Sequence, residues 1–187
     1  MNYKTTGILI LVLAILSGYV YYGRSNRVPP PRKETTFVYQ YDISDIAQMD
    51  VQYQGQTVSV TWDVTKSEWY FTDGSDKKVH PDRANGLRVL LSGPGANRVL
   101  LTETATPEQL KEYGLVEPQV VATIALKTGR VHRVLLGDRT PDGNNYYIKN
   151  GDRDGVYLVD FTWGNEILRF VVEPPIVTPT PEQDSSG

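Results

Sequence analysis

Hydrophobic and polar positions change rhythm along this chain, and each rhythm predicts a different kind of element. From Gly7 to Tyr22 the sequence reads GILILVLAILSGYVYY, 16 residues without a charge. As a helix rising ~1.5 Å per residue, such a run covers about 24 Å, the short end of what crosses a hydrocarbon core of about 30 Å. Further on, the pattern alternates. Between Thr57 and Val64, the residues Val58, Val60, Trp62 and Val64 fall on one side and Thr57, Ser59, Thr61 and Asp63 on the other. This period of two predicts a strand with one packed and one wetted face. Ile46 to Gln54 and Glu68 to Thr72 read as its partner strands, joined to it at Gly55-Gln56 and Lys66-Ser67.

The rhythm then shifts to a helical one. Pro81 opens a helix with an apolar stripe of Ala84, Leu87, Leu90 and Leu91, and Gly93-Pro94-Gly95 stops it. Arg98 to Glu103 is a strand. Thr106 caps a short helix that starts at Pro107 and ends at Gly114. Gln119 to Lys127 and Arg130 to Leu136 form a hairpin about Thr128-Gly129, and Tyr146 to Lys149 and Val156 to Asp160 are two further strands. Thr162 to Val172 closes the series as a helix with Trp163, Ile167, Phe170 and Val171 inward. The fold class predicted is α+β: a mostly antiparallel sheet with short helices on one face, plus one N-terminal transmembrane helix. Two strand-rich halves, each ending in a helix, suggest a weak internal duplication.

The segmentation that follows is a membrane anchor over residues 1–23, a Pro-rich linker over 24–35, an α+β domain over 36–172 and a disordered Pro/Ser-rich tail over 173–187. Gly7, Leu11, Leu16, Tyr19 and Tyr22 mark the anchor, with tyrosines at its end suited to the headgroup zone. The alternative is a cleaved signal peptide, for which Leu16-Ser17-Gly18 offers only a weak cleavage site. Lys4 precedes the run, whereas Arg24, Arg27, Arg32 and Lys33 follow it. Counted by the positive-inside rule, those flanks put the large domain in the cytoplasm.

Composition narrows the picture further. Residues 34–172 hold 14 Lys or Arg and 19 Asp or Glu, a balance of −5, so the domain lacks the basic footprint of a nucleic-acid binder. The basic arm from Arg24 to Lys33 instead suits anionic lipid headgroups. No cysteine is present, which excludes disulfides, thiol chemistry and a lipid-modified cysteine.

No catalytic, cofactor-binding or metal-binding residues are assigned. His80 and His132 lack any ligand spacing. The turns Asp138 to Asn144 and Asp152 to Gly155 are acidic but lack the calcium-loop pattern with its distal glutamate, and Asx turns explain them. Ser92-Gly93-Pro94-Gly95 lacks the phosphate-loop lysine, and no G-x-S-x-G occurs. Tyr146, Tyr147 and Tyr157 suit either stacking on sugar rings or half-buried strand packing, and packing is the favoured reading.

Three stretches together carry a resemblance. They are Glu68-Trp69-Tyr70 leading into the Pro81 helix, the run Tyr113-Gly114-Leu115-Val116-Glu117-Pro118, and Leu136-Gly137-Asp138-Arg139-Thr140 followed by Asn145-Tyr146-Tyr147-Ile148. In this order they resemble the bacterial domain of unknown function 4340 family, over roughly Val60 to Phe170. The resemblance implies a bacterial envelope protein held by one N-terminal helix, with its domain outside the cytoplasm. Some relatives resemble partners of ABC-type transport systems. It implies no catalytic residues, and Trp69, Tyr113, Gly114, Leu115, Pro118, Gly137 and Tyr147 read as structural members of the motif. The function expected is a single-pass, membrane-anchored, non-enzymatic binding or scaffolding domain, with membrane lipid and an envelope protein as partners, no cofactor and an unknown small-molecule ligand. The alternatives are a glycan-binding module and an envelope hydrolase with an unrecognised site.

Overall fold

A computed structural model of the chain describes residues 3–25, 35–151 and 153–177, in two units, residues 1–34 and 35–187. The first unit holds helix α1 (Tyr3–Ser25), 23 residues long, whose side chains from Ile10 to Tyr22 are all exposed. Among the described residues no helix is long and apolar enough to cross a membrane. The helical conformation of the apolar run therefore stands, and passage through a bilayer does not follow from it. The central prolines of the expected linker lie in 26–34, outside the described residues.

The second unit is an α+β domain. Its strands are β1 (Thr36–Phe37), β2 (Ile46–Tyr53), β3 (Gln56–Asp63), β4 (Glu68–Phe71), β5 (Gly95–Ala96), β6 (Arg98–Leu101), β7 (Val120–Leu126), β8 (Val131–Arg139), β9 (Asn145–Asn150) and β10 (Val156–Asp160). Its helices are α2 (Pro81–Ser92), α3 (Pro107–Glu112) and α4 (Phe161–Val172). Eight strands form one antiparallel sheet in the order β4-β3-β2-β7-β8-β9-β10-β6, and β1 pairs with β5 alone. Two meanders, β2–β4 followed by α2 and β7–β10 followed by α4, join along the β2–β7 pairing.

Local chemistry explains the hairpins. The β2–β3 turn centres on Gln54 and Gly55, both with positive φ (49° and 78°), one residue earlier than Gly55-Gln56. Two left-handed residues give the turn whose twist matches the flanking strands. Register then assigns the faces. Val58 lies opposite Val51, Val60 opposite Met49 and Trp62 opposite Trp69, so the alternation of β3 becomes a continuous apolar layer. The reverse face carries Gln48, Asp50, Gln52, Ser59 and Thr61 and is polar over β3 and β2, while β7 places Val121, Thr123 and Ala125 there.

The apolar face is covered by α2 and α4, which pack on each other and on the strands beneath. Ala84, Leu87 and Leu91 of α2 and Ile167, Phe170 and Val171 of α4 are buried there; Leu90 and Trp163 are half-buried, and the Trp163 indole donates to the Leu90 carbonyl at 3.1 Å. Helix α3 departs from the expected one-face arrangement. Its Leu110 joins Ala105, Leu115 and Val156 in a separate cluster with Leu135 and Tyr147, residues that alternate away from the buried Leu136 and Ile148. The α3 segment thus covers the opposite face of the sheet.

Glu173 to Val177, read from composition as tail, is docked. The Arg83 guanidinium donates to the carbonyls of Glu173 and Pro174, the His80 amide donates to the Pro175 carbonyl at 2.7 Å, and Ile176 bridges Val79 antiparallel. Prolines give up donors but keep carbonyls, and these carbonyls are taken up by α2 and the segment before it. Residues 178–187 lie outside the described residues.

Candidate functional site

The motif residues of the second half converge on one structural knot. Thr106 and Gln109 form a capping box at the start of α3. At its end the Leu115 amide donates to the Leu110 carbonyl at 2.7 Å and the Gly114 amide to the Lys111 carbonyl at 3.2 Å, with Gly114 at φ +65°. This is a Schellman closure, and Leu110 and Leu115 make its apolar contact. Gly137 of β8 passes so close that a Cβ there would overlap the Tyr113 carbonyl oxygen, and the Asp138 amide donates to that same oxygen at 2.9 Å. Tyr113 stacks on Tyr147 of β9 with centroids 4.6 Å apart. The Y-G-L run and the L-G run therefore dock on each other. Burial, first, and the neighbouring Tyr113 push the Tyr147 hydroxyl above its usual value.

The opening lies at the other end of the sheet. A cleft of about 580 Å³ is bounded by β4, the segment Ser75 to Val79, the start of α2 and Val177. Trp62, Trp69 and Tyr70 supply its aromatic wall. Trp62 and Trp69 face each other across the β3–β4 hairpin with ring centroids 5.3 Å apart, edge to face. Arg88 of α2 lies over both rings, at 5.7 and 5.5 Å, and the Trp69 indole donates to the Asn85 side chain at 2.9 Å. Trp69 is thereby locked and buried, while Trp62 and Tyr70 keep part of their surface open. Burial pulls the Arg88 guanidinium below its usual pKa, and Asp42 opposes the shift. The Tyr70 hydroxyl donates to the Glu68 carboxylate at 2.8 Å, which pushes the phenol up, and Lys66 lies 5.0 Å from the Tyr70 ring. A smaller hollow of about 460 Å³ adjoins the cleft, walled by Phe71 and by the chain's own Pro174 and Ile176. The cleft is an aromatic surface with a mixed-charge rim.

Residues 69–169, more than half of the chain, match the family described as Domain of unknown function (DUF4340). The chain belongs to the DUF4340 family. No curated protein and no solved structure matches it.

Within this DUF4340 domain the residues considered from sequence lie apart. Trp69 is in the cleft, while Tyr113, Gly114, Leu115, Gly137 and Tyr147 are in the knot. Pro118 follows the knot and leads into β7. The tyrosines considered for sugar stacking pack instead. Tyr146 is buried under Gly164 with its hydroxyl on Asn165 at 3.1 Å, Tyr147 is in the knot, and Tyr157 packs on the main core. His132 stacks on Tyr41 at 4.5 Å, and His80 precedes α2 as its cap residue. In the first acidic turn the Asp142 carboxylate accepts from the Thr140 hydroxyl at 2.5 Å and the Asn144 amide at 3.1 Å; these bonds, the Thr140 one first, hold its pKa below the usual range. Among the described residues no group of three or more metal-ligating side chains is arranged around a common point. Trp62 and Tyr70 are not among the site residues read from the sequence, which places Trp62 on a strand and Tyr70 on a strand and in the family-like stretch Glu68-Trp69-Tyr70. The signal in the sequence is the turn read at Lys66-Ser67; the structure makes it a four-residue turn over Val64–Ser67, with Val64 exposed rather than packed, and this turn sets Trp62 opposite Trp69.

Proposed function

We propose that this DUF4340 protein is a single-pass, membrane-attached, non-enzymatic binding or scaffolding protein of the bacterial envelope. In this reading its domain is extracytoplasmic and takes a protein partner at the Trp62–Trp69–Tyr70 cleft, beside an ABC-type transport system. The observation that carries the binding role is the cleft itself, where Arg88 lies over the Trp62 and Trp69 rings and Asn85, which also lines the cleft, holds the Trp69 indole. Rigid aromatic surface of this kind binds with little loss of side-chain freedom. Membrane attachment is supported by the charge-free run from Gly7 to Tyr22, which is helical with its described side chains exposed. Sixteen residues cover about 24 Å, and a bilayer thins or flanking residues snorkel to accommodate a short helix.

A glycan ligand is the second reading, and the cleft favours it over the tyrosines considered from sequence. Trp62 and Tyr70 offer ring faces beside the polar side chains of Glu68, Asp76 and Asn85. A photo-cross-linking residue at Tyr70, with one at Thr123 on the polar sheet face as control, tests both readings in native membranes. A discrete protein adduct from position 70 alone is the expected result. Its disappearance when purified envelope polysaccharide is added would favour the glycan, and equal patterns from both positions would remove the cleft from the account.

A further inference from the structure

We infer that the cleft takes a short acidic segment of a partner protein, whose carboxylates meet Lys66, Lys77 and Lys78 while its chain lies against Trp62 and Tyr70. The inference rests on the cleft being a binding surface. Residues 34–172 carry a charge balance of −5, yet four of their 14 basic residues, Lys66, Lys77, Lys78 and Arg88, gather at this one aromatic wall. Lys77 and Lys78 line the cleft and are exposed, and the exposed Lys66 lies 5.0 Å from the Tyr70 ring. Among the described residues the ion pair formed is Arg169–Glu173, so these three ammonium groups have no carboxylate within ion-pair distance. Two acids share the cleft with them. Glu68 already accepts from the Tyr70 hydroxyl at 2.8 Å, which leaves Asp76 as the lining carboxylate without a hydrogen bond among the described residues.

Shape narrows the occupant further. The cleft lies between β4 and the Ser75 to Val79 segment, which bridge antiparallel at Tyr70 and Lys78. Its volume of about 580 Å³ is that of a ligand cleft, room for a few residues rather than for the face of a folded domain. Anionic lipid also attracts lysines that stand beside tryptophan and tyrosine, but a bilayer surface does not enter a concavity. Trp62 and Tyr70 are half-buried, and the apolar Val79, Pro81 and Val177 continue their surface. A chain seated there excludes water from the rim, and a carboxylate then attracts a neighbouring ammonium more strongly than it does in open solvent. An apolar residue flanked by acidic ones satisfies both the wall and the rim. Each pair at such a rim changes affinity about two- to fivefold, so the lysines select among partner segments and Asp76 opposes them.

The test pans a library of random dodecapeptides on the full chain in nanodiscs of zwitterionic lipid. Recovered peptides are then titrated into the chain isotope-labelled on tryptophan, which gives separate indole N–H signals for Trp62, Trp69 and Trp163. The expected result is a pool of net negative charge that shifts the Trp62 and Trp69 signals and leaves Trp163 in place. Affinity is expected to fall about tenfold or more in K66E/K77E/K78E and to rise about two- to fivefold in D76N. All four side chains are exposed, so these variants keep the fold, and an unmoved Trp163 signal verifies it. A neutral or basic pool overturns the inference, as does an acidic pool that binds K66E/K77E/K78E equally well. Vesicles of anionic lipid that shift the Trp62 signal more than any recovered peptide also overturn it, since they put lipid in the cleft. If no peptide is enriched while the cross-linker at Tyr70 still gives its partner adduct, the acidic inference falls and the binding reading survives. If acidic peptides bind as expected but native membranes give no adduct from position 70, the partner in the envelope falls and the acidic preference of the cleft stands.

Discussion

Gly137 has no room for a side chain, because a Cβ would overlap the Tyr113 carbonyl oxygen and approach Leu115 at 3.1 Å. Backbone and packed core cannot yield there as a flexible side chain would. Gly137→Ala is expected to destabilise the domain by roughly 2–3 kcal/mol, measured by urea unfolding. Gly86, in the exposed middle of α2 with nothing within 4 Å of its would-be Cβ, is the contrast: Gly86→Ala is expected to stabilise by about 0.5–1 kcal/mol. Tyr39 offers a second test at this scale. It is 2% exposed, and its hydroxyl is buried with no hydrogen-bond partner among the described residues. Burial, with Tyr41 adding to it, pushes this phenol well above the usual value. The unfolded chain therefore releases the Tyr39 proton first, near pH 10, and stability is lost as the pH rises from there toward the folded pKa. Tyr39→Phe should leave stability at pH 7 unchanged or slightly higher and flatten its alkaline decline, as read from unfolding curves between neutral and strongly alkaline pH.

At the scale of elements, the helix ends depend on short-range chemistry. Asp160 caps α4, accepting from the Thr162 hydroxyl and from its amide at 2.9 Å, and these bonds hold its carboxyl below the usual range. A depressed folded pKa means the contribution is present above the unfolded value and disappears as pH falls through the folded one. Asp160→Asn is expected to remove the part of the acid-induced stability loss that Asp160 causes, seen as a shallower fall in Tm from neutral to acid pH. Such local signals are why so much of the fold was legible. Thr106, Pro107 and Gly114 announced α3, and the alternation of β3 announced the face on which Val58, Val60 and Trp62 pack. What could not be read depends on partners distant in sequence. Tyr39 is buried only because the chain before β2 runs beneath α2, where the Tyr41 amide donates to the Ser92 carbonyl at 2.7 Å. Pro175 and Ile176 resemble tail in composition and are held by His80 and Val79 from about a hundred residues earlier. Helix α3 packs on the second sheet face because Leu135 and Tyr147 are apolar at outward positions, which becomes visible only once the strand register is known. The cleft is half legible for the same reason: the sequence puts Trp62 and Trp69 on strands, but their facing pair requires the hairpin register.

For the whole molecule, one exposed apolar helix and one folded domain with an aromatic cleft need separate explanations. A water-soluble role leaves the side chains of α1 from Ile10 to Tyr22 unexplained, whereas a bilayer removes that surface from water at about 25 cal/mol per Å². A binding protein held at a membrane uses both parts. The measurement that tests this most directly is sedimentation of cell membranes carrying the full chain, washed with high salt and then with alkaline carbonate. The account predicts that the protein stays in the pellet through both washes and is released by detergent, and that L11R/L16R moves it to the supernatant. Full-length chain recovered in the supernatant after the carbonate wash, or a mature polypeptide starting after Tyr22, would contradict it.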